Sequence, residues 1–191
     1  MTIAGAGVTY ESGSGDYAEW LERQEASEKL SAADIVGVYG GKITRQTGSA
    51  DHVMVISVKP IVLGNMPAEG READYEMVAF MGQTPVKVRG RVRIGDFIVP
   101  SGREDGTGVA VRPDDLTAAQ LGSVVGVAWE ENTLAFGIVN MAVGLKSADI
   151  GKVISRQERV LTTLADENAA MRAELSRIAA QLDELVRHNR R

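Results

Sequence analysis

Ser14-Gly-Asp16-Tyr-Ala-Glu19-Trp20 is the stretch whose residue types and spacing come nearest to chemistry. On a helical turn, Asp16 and Glu19, three positions apart, project from one face. Two close carboxylates drive their pKa values apart, so that one holds a proton while the other stays ionised. Such a pair can act as acid and base on a neighbouring peptide bond, and Gly13 and Gly15 let that bond approach in an unusual conformation. The same spacing also reads as a capping box, with Asp16 capping a helix and Glu19 reaching back to its amide. A second candidate is the alternating run Val86-Lys-Val-Arg-Gly-Arg-Val-Arg-Ile94. Lys87, Arg89, Arg91 and Arg93 share one face, a ladder suited to an anion. They can equally form the solvated face of a half-buried strand or meet acidic residues on a neighbour, and no aromatic interleaves them to stack bases.

Other chemistries are excluded by composition. The 191 residues contain no cysteine, which removes disulfides, thiolate catalysis and cysteine metal sites. His52 and His188, the only histidines, lie far apart, so no metal centre and no cofactor are expected. Glycines 37–41 and 102–108 are turn chemistry without the strand-loop-helix context of a phosphate loop. A formal net charge of -5 argues against nucleic acid as the main partner. No stretch reaches the roughly 20 apolar residues that span a bilayer. The opening residues lack the basic and apolar regions of a signal peptide, so synthesis in the cytoplasm without export by that route is expected.

The elements that must position these residues fall into three regions. Residues 1–15 read as a flexible or extended lead, 16–147 as a β-rich head and 148–191 as a coiled coil. Within the head, 16–29 reads as one short helix. The remainder is short apolar runs punctuated by glycine and proline, including 35–39, 42–45, 53–58, 61–63, 86–94, 97–99, 109–111, 124–129 and 136–145. Gly40-Gly41 is a two-residue link suited to a primed hairpin turn. Strands this numerous and short predict a compact barrel or sandwich. Ala33-Asp34-Ile-Val-Gly-Val38 echoes Gly95-Asp96-Phe-Ile-Val-Pro100, either as a duplicated half-barrel or as a recurrent hairpin entry.

The tail carries a heptad seam. With Ile154, Leu161, Asn168, Leu175 and Leu182 at position a, position d is Gln157, Leu164, Met171, Ile178 and Leu185. From Leu161 to Leu185 only Asn168 interrupts it, a familiar register-setting device. Leu at a with Ile at d favours more than two strands, so a parallel homotrimer is the expectation and a dimer the runner-up. An amphipathic helix folded back on its own head is the alternative.

Gly13-Ser-Gly-Asp-Tyr-Ala-Glu-Trp20, Asp34-Ile-Val-Gly37 and Gly40-Gly-Lys-Ile43 together resemble the self-cleaving intramolecular chaperone domain that ends phage pre-neck appendage and tail-fibre proteins. Looser matches follow at Val53-Met-Val-Ile-Ser57, Leu63-Gly-Asn-Met66, Val78-Ala-Phe-Met-Gly82, Gly95–Gly102 and Val125-Gly-Val-Ala-Trp129, covering about residues 8 to 146. The resemblance implies a β-rich trimeric unit that helps a fibre fold and then cuts itself off before an Asp. Asp16 would follow the scissile bond and Glu19 would be its catalytic partner; here Gly15, not Ser, precedes Asp16, with Ser14 one place earlier. It further implies a virion or phage-derived particle as location and other fibre or virion proteins as partners. Two rival readings are a non-enzymatic structural subunit, in which Asp16 and Glu19 only cap, and a polyanion-binding module using the basic run.

Overall fold

The computed structural model describes residues 15–144 and 146–189; all but the last residue of the expected lead lies outside them. Two compact units divide at Lys146/Ser147. The first contains ten strands: β1 Gly15–Arg23, β2 Ile35–Tyr39, β3 Lys42–Thr44, β4 His52–Ile56, β5 Val62–Gly64, β6 Tyr75–Arg89, β7 Phe97–Pro100, β8 Gly108–Val111, β9 Gly126–Ala128 and β10 Phe136–Val143. One helical turn, α1 (Ala118–Leu121), is held by a capping box between Thr117 and Gln120. The second unit is the single helix α2, Lys146–His188. No described helix is long and apolar enough to cross a membrane.

The short helix expected at 16–29 is absent, and β1 stands in its place. The Asp-x-x-Glu spacing and scattered charges mimic a helix start, but local propensity yields to pairing with distant strands. β1 lies antiparallel to β6 from Gly15↔Gln83 to Glu22↔Tyr75. Its other edge runs parallel to β5 at Tyr17–Glu19 and to β3 at Glu22–Arg23. Three neighbours satisfy the backbone of β1 along both edges, which a lone two-turn helix of this composition cannot match.

The sheet closes on itself twice, through the fifteen-residue β6. One ring runs β6-β4-β2-β3-β1 and back to β6; the other runs β6-β8-β7-β9-β10 and back. β6 meets β1 over Tyr75–Gln83 and β10 over Gly82–Arg89, so each half of the strand belongs to a different ring. The expectation of a barrel or a sandwich thus resolves into two small barrels joined at one strand. Each barrel has its own core. Val36, Val38, Ile43, Ile56 and Val78 form the smaller. Val86, Val88, Ile98, Val139 and Met141 belong to the larger, which also takes Ile35, Val55 and Ala79 from the other face of the first barrel's strands. β2 and β4 are therefore apolar on both faces, which explains why their sequences read as continuous runs rather than alternations.

Turn chemistry read from sequence is realised where it is local. Gly40 and Gly41 have φ of 56° and 85°, the double left-handed geometry of the β2–β3 hairpin. The basic run does not continue as a strand to Ile94. Gly90 turns left-handed at φ 74° and ends β6. Asn132 holds that corner, donating from Nδ2 to the carbonyls of Gly90 at 2.7 Å and Leu134 at 2.8 Å.

The echo between Ala33–Val38 and Gly95–Pro100 has a geometric basis. Ala33 (φ 66°) and Gly95 (φ 90°) occupy the same left-handed turn position. The next residue accepts from the backbone N–H three places back, Ser31 to Asp34 Oδ2 at 3.0 Å and Arg93 to Asp96 Oδ2 at 2.9 Å. Ile56 and Ala128 close the two turns identically, each accepting from the left-handed residue and donating to the Asp carbonyl. The two barrels are entered through one repeated device.

Candidate functional site

β1 places Asp16 and Glu19 on opposite faces, because side chains in a strand alternate with period 2. Ala18 lies opposite Ala79, a residue of the larger core, and Glu19 opposite Val78, a residue of the smaller. Asp16, two before Ala18, is turned with it and is 1% exposed. Three strand residues also span about 10 Å. The folded chain therefore does not present the two carboxylates to a single peptide bond.

The Gly15–Asp16 peptide is instead clamped by β6. Gly82 stands across from Asp16 on one side and Val143 of β10 on the other, at the point where the two barrels meet. Its φ is 110°, and a Cβ added there would sit 2.0 Å from the Gly15 carbonyl oxygen and 2.9 Å from Asp16 Cα. Only glycine lets the strands approach this closely. The Asp16 carbonyl accepts from Ile61 N–H at 2.8 Å, so the next peptide is pinned from β5's side as well. Gly82 was visible in sequence only as one glycine in an apolar run; nothing local marks it as the junction.

Lys87 and Arg89 each hold an acidic side chain. Lys87 Nζ lies 2.7 Å from Asp34 Oδ1, and Arg45 Nη2 lies 3.0 Å from Asp34 Oδ2. Ser31 adds its hydroxyl at 3.1 Å, so a carboxylate with 2% side-chain exposure is compensated by two cations. Arg89 Nη2 lies 2.7 Å from Asp105 Oδ2, and its guanidinium sits 5.9 Å from the Phe136 ring centre. Arg91 and Arg93, beyond the Gly90 turn, are exposed. The four cations thus do not form one continuous face: two bind acids of the same chain and two lie on a turn.

Asp105 anchors the β7–β8 loop. Partial burial works to raise its pKa, but hydrogen bonds from Thr107 and Arg89 outweigh this and hold the carboxyl well below the usual carboxylate range. A group whose folded pKa is depressed stabilises the fold above its unfolded pKa, and that stability is lost as pH falls toward the folded value. Urea midpoints measured from pH 7 down to pH 2.5 should therefore decline below about pH 4, the ordinary Asp range. Asp105→Asn should flatten part of that decline; an unchanged profile would show the loop contributes nothing.

A cleft of about 290 Å³ opens between β4, β6 and the end of β10, walled by His52, Met54, Phe80, Val125 and Val143 among others. Its walls are mainly apolar and bring no acid–base pair together. Among the described residues no three His, Asp or Glu side chains are placed to hold a metal ion.

The fold and site therefore define a double β-barrel module with a clamped N-terminal strand, followed by a long helix. No family model matches the chain, and no characterised protein matches it in sequence. Among solved structures it is similar to the pre-mature bacteriophage phi29 gene product 12, with a TM-score of 0.53 over 72% of this chain at 12% identity. The chain spans 22% of the length of that protein. A C-terminal fragment of the same phi29 gene product 12 aligns with a TM-score of 0.46, covering 67% of this chain and 99% of the fragment at 15% identity. The likeness at this identity is one of fold.

Proposed function

We propose that the chain is an assembly module of a phage-type tail appendage or fibre, a homotrimer joined through α2 and carried on the particle. The observation that carries this reading is the shared fold with a segment of phi29 gene product 12, joined here to a helix with an uncovered heptad seam. Leu161, Leu164, Met171, Leu175, Ile178, Leu182 and Leu185 are all exposed in the single chain, Ile178 least at 42%. An apolar stripe of this length on one helix is what parallel copies cover by knobs-into-holes packing. Arg172 Nε donates to Asn168 Oδ1 at 3.1 Å, keeping the polar position of the seam oriented. A trimer aligns three heads at high effective concentration, the service an assembly module gives to a fibre.

Leu175→Asp with Ile178→Asp tests the helix. Native mass spectrometry should find a trimer for the unmodified chain and a monomer for the variant. A monomer for both removes the trimer; a trimer for both places the interface elsewhere.

Self-cleavage is a narrower proposal within the same reading. Its support is the buried Asp16 carboxyl beside the clamped Gly15–Asp16 peptide, whereas Glu19 faces the other barrel. Hydrolysis would break the Gly15–Asp16 C–N bond, the hydroxyl of a water going to the Gly15 carbonyl carbon and its proton to the released Asp16 nitrogen, with the Asp16 carboxyl beside that bond as the group that would pass the proton across. A chain extended at its N-terminus and incubated after folding should lose the mass upstream of Asp16. Asp16→Asn should abolish the cut and Glu19→Gln should leave it. Full-length mass throughout discards the protease and leaves a structural subunit. Binding of a polyanion finds less support, since Lys87 and Arg89 are already held by Asp34 and Asp105.

A further inference from the structure

Thr84 is 0% exposed, yet its hydroxyl has no hydrogen-bond partner among the described residues. The buried hydroxyls of Thr44 and Thr107 do have one, donating to Glu28 Oε1 at 3.2 Å and to Ser101 Oγ at 3.1 Å. A polar group taken from water and left unpaired destabilises a core, so native proteins keep few of them. Ser57 is a second case, but its N–H donates to Met77, which stands opposite Trp20 and away from the Gly15–Asp16 peptide.

Strand register puts Thr84 beside that peptide. Gly82 pairs with Asp16 of β1 and with Val143 of β10, and Thr84 pairs with Met141 in the next row. Directly opposed residues turn to one face of a sheet, and residues two apart on a strand share it. Asp16, Thr84, Met141 and Val143 therefore all face inward, and each is at most 4% exposed. Asp16 and Thr84 are diagonal neighbours across β1 and β6, a relation that sets Cα atoms about 7–8 Å apart. Gly82 has no side chain to put between them. The span suits one water held by two hydrogen bonds of about 2.8 Å each. Val86, Val139 and Met141 of the larger core surround these two polar groups with apolar surface.

We propose that Thr84 seats the water that cleaves the Gly15–Asp16 bond. The inference rests on the self-cleavage reading and adds a residue to it. Thr84 Oγ1 accepts one proton of the water in a hydrogen bond and the Asp16 carboxyl accepts the other. A lone pair of the water is then left toward the Gly15 carbonyl carbon. The hydroxyl of the water joins that carbon, the C–N bond breaks, and the proton passes through the Asp16 carboxyl to the released nitrogen. Thr84 is unchanged at the end, so it is a positioning residue. An unpaired hydroxyl kept in a core has a use when the reaction itself brings its partner.

The test uses the chain extended at its N-terminus, carrying either Thr84→Val, which keeps the shape and removes the hydroxyl, or Thr84→Ser, which keeps the hydroxyl. Intact mass spectrometry follows loss of the upstream segment. Cleavage should slow about a hundredfold or more in Thr84→Val and stay within about threefold in Thr84→Ser. The urea midpoint of Thr84→Val should equal or exceed that of the unmodified chain, because no hydrogen bond is lost. Cleavage of Thr84→Val at the unmodified rate, or Thr84→Ser as slow as Thr84→Val, would overturn the inference while leaving self-cleavage standing. A lower midpoint or failure to fold in Thr84→Val would also overturn it, since the hydroxyl would then be holding the core. An unmodified chain that keeps its full mass would end the cleavage reading and this inference with it.

Discussion

Gly82→Ala is expected to destabilise the head by about 3–5 kcal/mol, combining the cost of a left-handed Cβ with that of overpacking. The added carbon would lie 2.0 Å from the Gly15 carbonyl oxygen, a backbone atom that cannot swing away as a side-chain tip can. Relief requires either detaching the start of β1 from β6 or refolding the junction with β10, where Val143 is paired to the same residue. Gly102→Ala is the matched control. It too has a left-handed φ, 73°, but nothing lies within 4 Å of the added Cβ, so its cost should be only about 1–2 kcal/mol. Urea unfolding of both variants at one protein concentration measures the difference. Equal losses would mean that conformation alone, not the close approach of the strands, makes glycine necessary at 82. The same variant should also disturb any cleavage at Gly15–Asp16, since Gly82 is what presses on that peptide.

Asp34→Ala should cost about 3–5 kcal/mol, the range for removing one partner of a buried ion pair. It leaves Lys87 and Arg45, with side chains 23% and 33% exposed, facing a site that had compensated both. Their partial exposure places the expected loss toward the lower end, because water reaches the stranded charges. The second barrel supplies an internal comparison. Asp96 occupies the same turn and receives the same backbone N–H, but among the described residues no cation pairs with it. Asp96→Ala should therefore cost less, about 1.5–3 kcal/mol, the loss of a hydrogen bond to a carboxylate. Matching values at the two positions would mean that the Lys87 and Arg45 pairs add nothing, and that the turn alone explains both aspartates.

The repeated turn shows how two barrels can be specified economically. Each begins with a left-handed residue followed by an aspartate that ties down the chain three places earlier. In the first barrel that aspartate also reaches across to β6 through Lys87, coupling the turn to the shared strand. The echo in sequence was short, yet it coincides with a full set of matching hydrogen bonds. The strand neighbours match as well: β1–β3 in one ring and β6–β8 in the other are parallel, and the remaining pairs of both rings are antiparallel. Similar entries therefore lead into barrels of the same strand order.

Much of this molecule was legible without coordinates wherever the determining interactions are local. Gly40-Gly41 dictates its hairpin because two adjacent left-handed residues suffice to reverse the chain. β2 and β7 fall within runs that are apolar because nearly every position is buried, and α2 follows from a heptad seam free of glycine and proline. Interactions between distant residues decided the rest. β1 is a strand because β6, β5 and β3 offer it partners as far away as Gln83 opposite Gly15, while its own sequence carries the spacing of a helix cap. That single change of period, from 3.6 to 2, separates Asp16 from Glu19 and turns an apparent catalytic pair into residues of two different barrels. The basic run likewise looked like one face, but Gly90 ends the strand and Asp34 and Asp105 claim its first two cations from 53 and 16 positions away. Closure into two barrels depends on β6 being long enough to lend each half to a different ring. That property becomes visible only when its neighbours are in place, because backbone hydrogen bonding of a strand is completed by other segments and leaves no local signature of which ones.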